Sequence, residues 1–214
     1  MALSKVDFNN INVTPAASKA LKWNSSANGF ETGDIGGSMV LLSTQTASSS
    51  ANLTFASGID STYKEYQFHF TDIHPASNAD FTVNFRDGST AYDATKTTTF
   101  FHSQSNEAGN YTNLAYQTGN DVAQGTGVAT IARKIGTGND ETCAGILHLF
   151  DPANTTFVKH FISRAFAYQN ISAQYNADNF GAGYCNVTAA IDGVQFAMAS
   201  GNIDSGTIKM YGIL

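Results

Sequence analysis

The sequence predicts an all-β chain: an antiparallel β-sandwich, jelly-roll-like, with a short N-terminal arm. Three observations lead there. Apolar side chains recur at alternate positions over most of the chain, the signature of strands with one buried face. Clusters of Gly, Asn, Asp and Pro interrupt that alternation at short intervals, as turns between antiparallel strands require. Ser, Thr and Asn supply 61 of the 214 residues and Gly another 19, whereas charged residues are only 13%. Thr, Asn and Gly are poor helix formers, so helical bundles and coiled coils are disfavoured. A chain of this length suits a single large β domain and can bury roughly 70% of its unfolded surface without a disulfide or metal.

Residues 1–37 read as an arm or attachment segment. They hold the only Trp, Trp23, and a stretch in which Thr14 as N-cap and Pro15 at the first helical position predict a short helix towards Trp23. Gly33, Gly36 and Gly37 end it. The sandwich is assigned to residues 38–214. Met39–Leu42 reads as a buried strand, 43–50 as a polar loop and Ala51–Phe55 as a second strand. From Tyr63 to Ile73 the alternation is clearest: Tyr66, Phe68 and Phe70 point one way, Glu65, Gln67, His69 and Thr71 the other. Pro75 is expected to stop that strand, because it cannot donate to a ladder. Phe81, Val83 and Phe85 mark the next strand, followed by a turn at Arg86–Ser89. Strands are expected at Lys96–His102, Tyr111–Gln117 and Val128–Ala132. Cys143–Phe150 and Thr156–Phe166 form a hairpin across Asp151–Asn154. Residues 168–179 read as a polar loop. Phe180–Val187, Ile191–Ala199 and Thr207–Ile213 complete the set, with a Gly/Asn turn at 200–206 before the last strand.

Charge and motifs exclude several function classes. The net charge is −6, with 11 basic residues against 17 acidic ones, too few cations for a phosphate-binding stripe, so no nucleic-acid partner is expected. No apolar run approaches the ~20 residues of a membrane-spanning helix. The first residues lack a charged segment followed by an apolar one, so no secretory signal is predicted. Cys143 and Cys185 are expected to be free, buried thiols behaving as small hydrophobes. Neither Cys-x-x-Cys nor His-Glu-x-x-His occurs, and no metal or other cofactor is expected. His148 and His160 lie on the two arms of the predicted hairpin and could face each other there. Cys143 and His148, five residues apart on one strand, fall on opposite faces and form no dyad. There is no Gly-x-Ser-x-Gly elbow, and no marked carboxylate couple for sugar hydrolysis. The chain is expected to be non-enzymatic.

Tyrosines are the more informative feature. Tyr92, Tyr111, Tyr116, Tyr168 and Tyr175 fall in or beside polar stretches. Exposed tyrosine among Asn, Ser and Gly is the composition of adhesive surfaces, and aromatic faces also stack on sugars. These five are the candidate ligand-binding residues, set against the plainer reading that they cap the sandwich or pack at a subunit contact.

Two stretches carry a family resemblance. Ser57–Ala76, with Ser57-Gly58-Ile59-Asp60-Ser61-Thr62-Tyr63 and Ile73-His74-Pro75-Ala76, and the ending Ser200-Gly201-Asn202-Ile203-Asp204-Ser205-Gly206-Thr207 through Tyr211-Gly212-Ile213 resemble small virion proteins of marine tailed bacteriophages, cyanophage-like ones in particular. The resemblance runs from about Trp23 onward. It implies a β-sandwich on the particle, as a tail-appendage, fibre or adhesion module, or alternatively as a capsid-decoration protein. The implied localisation is the virion, assembled in the host cytoplasm. The expected partners are further copies of the chain in a homo-oligomer, a trimer first among the options, other virion proteins, and a host-surface glycan that the tyrosines could contact. The resemblance supplies no catalytic residues. A reading of another class is a carbohydrate-binding or polysaccharide-depolymerising module.

Overall fold

A computed structural model of the chain describes residue 13 and residues 19–34, 38–170 and 173–214. The chain divides into two compact units, Met1–Ser38 and Met39–Leu214. In the first, β1 (Lys19–Trp23) and β2 (Phe30–Asp34) form an antiparallel hairpin. The expected helix is therefore corrected over Lys19–Trp23; its start, residues 14–18, lies outside the described residues. Cross-strand pairing explains the change. Trp23 stacks on Phe30 at 4.5 Å, and Lys22 meets Glu31 at 3.3 Å, pairings that a helix of at most three turns cannot offer. Ala27, at φ 52, turns the connecting loop.

The second unit is all-β and antiparallel, a nearly closed, barrel-like sandwich. Among the described residues it comprises β3 (Met39–Ser50), β4 (Leu53–Phe55), β5 (Glu65–Pro75), β6 (Ala79–Arg86), β7 (Lys96–Ser105), β8 (Thr112–Tyr116), β9 (Ala129–Ile135), β10 (Cys143–Phe150), β11 (Lys159–Asn170), β12 (Gln174–Cys185), β13 (Gly193–Met198) and β14 (Ile203–Ile213). A large layer runs β3-β14-β5-β10-β11-β12-β7-β8, and a smaller one β9-β6-β13-β4. The layers join at Gln169↔Ile135, where β11 has run past the end of β10 and takes β9 as its neighbour. On the opposite side Gln45 of β3 donates to the Thr54 carbonyl of β4 at 3.3 Å.

The core lies between the layers. Tyr66, Phe68 and Phe70 point inward as their alternation predicts and are fully buried. Across the layers Phe68 meets Phe196 at 5.5 Å, Phe70 meets Phe81 at 5.4 Å, and Phe85 meets Phe161 at 4.8 Å. Rings at such spacings add to the stabilisation from area burial alone.

Three stretches depart from the sequence expectation. Residues 43–50, expected as a loop, continue β3, which pairs with β14 along its length. Strand 43–50 has no apolar face to betray it; it is held by the ladder and by Thr–Thr contacts such as Thr46–Thr207 at 3.3 Å. Residues 168–170 and 174–179, also expected as a loop, extend β11 and β12 as a regular hairpin. Beside Ala177 their inward side chains are the amides Gln169 and Asn179, which are satisfied in a chain: Gln104 donates to Gln169, and Gln169 to Asn179 at 3.2 Å. Polarity there signals a buried amide chain and not solvent exposure. Strand β14 begins at Ile203, inside the segment expected as a turn, and Pro75, expected as a stop, is the last residue of β5, paired with Ile203.

Candidate functional site

The outer face of the large layer carries the most distinctive surface. Along β11, Phe161, Ser163 and Ala165 point inward, while His160, Ile162, Arg164 and Phe166 point out and are exposed. The register lines up a row across five strands: Ile146 of β10 opposite Arg164, Arg164 opposite Phe180 of β12, Phe180 opposite Phe101 of β7, and Phe101 opposite Tyr116 of β8. Phe101 and Phe180 stack at 4.8 Å, nearly parallel. The Arg164 guanidinium lies over Phe180 at 5.1 Å and donates to Asp178 at 2.7 and 3.1 Å. Small residues separate these ridges: Ala144 and Gly145 on β10, Gly181, Ala182 and Gly183 on β12. Three adjoining depressions result, of about 430, 290 and 340 Å³. The largest is walled by Phe101, Ile146, Ile162, Arg164 and Phe180.

One margin of this groove is polar. His148 Nδ1 lies 2.6 Å from Glu65, Gln67 donates to Glu65 at 2.8 Å, and His69 Nε2 meets Gln67 Oε1 at 3.0 Å. Burial, and then the neighbouring His148, push the His69 pKa below its ordinary value. A Glu–His pair supplies two of the three members of a nucleophilic triad. The serine lining this groove, Ser163, nevertheless sends its hydroxyl inward to the Gly181 carbonyl at 3.5 Å. The groove itself offers apolar walls and a neutralised Arg–Asp pair.

The interior holds a second polar set. Lys159 and Lys96 pair with Cys185 from its two sides in one cross-strand row, and all three are fully buried. The amines are held by loop carbonyls: Lys96 by Gly127 at 2.8 Å, Lys159 by Val187 at 2.7 Å. Burial lowers the Lys96 pKa to about 8 and raises the Cys185 thiol to about 12. Both cysteines are free and buried, and burial also pushes the Cys143 thiol up. His102, on β7, is buried, and burial followed by the nearby Arg133 lowers its pKa to about 4. Its Nδ1 and the Arg133 Nε are buried without a partner among the described residues. Among the described residues no group of three or more His, Cys, Asp and Glu side chains could hold a metal ion, and no helix is long and apolar enough to cross a membrane.

The five candidate tyrosines do not converge on one site. Tyr116 stands at the end of the outer-face row and donates to Asp121. Tyr111 and Tyr175 meet at 4.9 Å. Tyr168, expected beside a loop, is instead buried in β11, where burial, with Glu107, Asp140 and Glu141 nearby, raises its pKa. Tyr92 lies beneath the Arg86 guanidinium at 5.6 Å, with its hydroxyl buried. His148 and His160 share the outer face but are not opposed: His148 pairs with Ile162, and His160 with Tyr184. Cys143 and His148 lie on opposite faces of β10, as their spacing predicts. Comparison with family models, with curated proteins and with solved structures finds no match.

The groove residues are absent from the sequence candidates because Ile162, Phe166 and Phe180 read as ordinary strand positions. One signal is present. Both faces of β11 are apolar, Phe161 and Ala165 on one side and Ile162 and Phe166 on the other. In an antiparallel strand with one wet face, the second apolar set is unexpected.

Proposed function

We propose that the chain is a non-enzymatic structural protein of a tailed-bacteriophage virion, a tail-appendage or fibre module that works by surface contact. The observation that carries this reading is the apolar outer face just described, where Phe101, Phe166, Ile162 and Tyr116 stand exposed on a rigid sheet. Patches of that kind mark interaction surfaces. The low charge of the chain supports it as well, since neighbouring subunits have few charges to desolvate on packing. The resemblance of the 57–76 stretch and of the C-terminal ending to phage virion proteins supplies the particle. Mass-spectrometric inventory of purified virions, separated into heads and tails, tests the reading. The chain is expected in the tail fraction. Recovery with heads would assign it to capsid decoration, and absence from both fractions would overturn the virion role.

A carbohydrate-binding reading is favoured by one observation, the Tyr111–Tyr175 pair with Asn106, Asn110 and Gln174 close to it in the chain. Tilted rings beside amides suit a sugar, with stacking on one group and hydrogen bonds to the other. Glycan-array binding abolished by substituting these two tyrosines distinguishes it from a purely structural role.

A further inference from the structure

We infer that the outer face of β10, β11, β12, β7 and β8 is a self-complementary interface on which a second copy of this chain docks through an isologous contact. The inference names the partner of the proposed contact surface, and it stands on the geometry of the purified chain whether or not that chain belongs to a virion.

Area is the first argument. Phe166 is 56% exposed, Tyr116 54% and Phe101 39%. At about 200 Å² per ring, these three leave roughly 300 Å² of aromatic surface in water. Leu114 at 73% and Ile162 at 46% extend the patch, bringing it to the upper end of what a solitary monomer leaves exposed. Five strands spaced about 4.8 Å apart and seven residues along β11 at about 3.3 Å each span roughly 24 by 23 Å. That footprint is roughly 550 Å² in projection. The relief of the side chains brings the accessible area towards the ~800 Å² that each partner contributes to a standard interface.

Shape and charge select a second copy as the occupant. Ile162 and Phe166 form ridges on β11, flanked on both sides by depressions floored with Ala144–Gly145 and Gly181–Ala182. A two-fold axis lying in the plane between the two faces, parallel to the strands and above the β11–β12 ladder, sets Ile162 of one copy over the depression at Ala182 of the other, the residue opposite it in the ladder. An isologous contact requires this self-matching of one patch. The whole chain carries −6, so two copies repel. On the outward positions of these five strands the charged side chains are Arg164 and Asp178, which neutralise each other at 2.7 Å. Here two like-charged chains approach with least penalty. Arg164 is already fixed by Asp178 and Phe180, so little side-chain freedom remains to be lost on docking.

Sedimentation-velocity ultracentrifugation of the full chain at concentrations from about 1 to about 200 µM, a range set by the affinity of weak to moderate contacts, tests the inference. A dimer is expected, at about twice the 22.7 kDa chain mass. Phe166→Asp and Ile162→Lys, both at exposed positions, are expected to weaken it at least ~100-fold, as loss of a central interface anchor does. Phe157→Asp, the same change on an exposed ring outside the groove, is expected to leave it intact. Ile162→Cys, close to the proposed axis, is expected to cross-link copies on mild oxidation, whereas Phe157→Cys is not. A monomer at every concentration, a dimer or trimer indifferent to both groove substitutions, or an associating Ile162→Cys variant that fails to cross-link would each overturn it. Absence of the chain from virions would contradict the functional reading alone.

Discussion

At the scale of single residues, the buried titratable groups bear on stability. His102 sits in the core with a pKa of about 4, against an ordinary value of 6.5. Between those values the unfolded chain binds a proton that the folded chain refuses, so stability falls as pH falls from 6.5 to about 4. The gap corresponds to at most about 3 kcal/mol. His102→Gln keeps a polar side chain without the titration, and its thermal unfolding is expected to lose less on acidification over that window than the parent's; equal acid losses would show that other groups set the slope. Lys96 behaves in the same sense at higher pH. Its pKa of about 8 means that the penalty for burying the charged amine is complete below that pH and is relieved as pH rises towards the ordinary lysine value. Neither group is legible as buried from the sequence. Lys96, His102 and Gln104 occupy the inward parity of β7, but alternation specifies a face and not what covers it. The loop carbonyl of Gly127 that receives the Lys96 amine is 31 residues further along the chain.

At the scale of elements, strands with one apolar face are readable and those without are not. β5 declares itself through Tyr66, Phe68 and Phe70; the Ser/Thr half of β3 and the Gln/Asn ends of β11 and β12 do not, because ladder hydrogen bonds and amide pairs hold them. The β1–β2 hairpin is hidden by Thr14-Pro15, a sound helix-start signal overridden downstream by the Trp23–Phe30 stack. Gly201 and Gly206 of the C-terminal stretch are conformational, both with positive φ, and the second is decisive. Gly206 has φ 124 and lies in the irregular stretch of the β14–β5 ladder, where an added Cβ would come within 2.7 Å of the Asp72 carbonyl oxygen and 2.8 Å of Ile73 Cα. Both contacts are with backbone, which cannot swing aside. Gly206→Ala is therefore expected to destabilise the sandwich by about 2 kcal/mol or more, read as a lowered urea midpoint with an unchanged slope. An unaltered midpoint would mean that the bulge relaxes freely.

At the scale of the whole molecule, period-two alternation and turn chemistry are enough to predict an antiparallel sandwich, since one-sided strands bury their apolar faces by packing sheet on sheet; how nearly the sheets close into a barrel is not written in the alternation. The proposed contact surface is less legible, because it arises from register. Arg164, Phe180, Phe101 and Tyr116 are scattered along the chain and become neighbours only when β11, β12, β7 and β8 are laid side by side. The tyrosines singled out from composition are dispersed by the same register, and one of them, Tyr168, is buried. What unites the account is the proposal that an aromatic and aliphatic sheet face, neutral in charge, is covered when the protein is at work. Hydroxyl-radical footprinting of the chain in its assembled and in its dilute state tests this most directly. Oxidation of Ile162, Phe166 and Phe101 is expected to fall several-fold on assembly while that of Phe157 is unchanged; equal oxidation of the face in both states would contradict it.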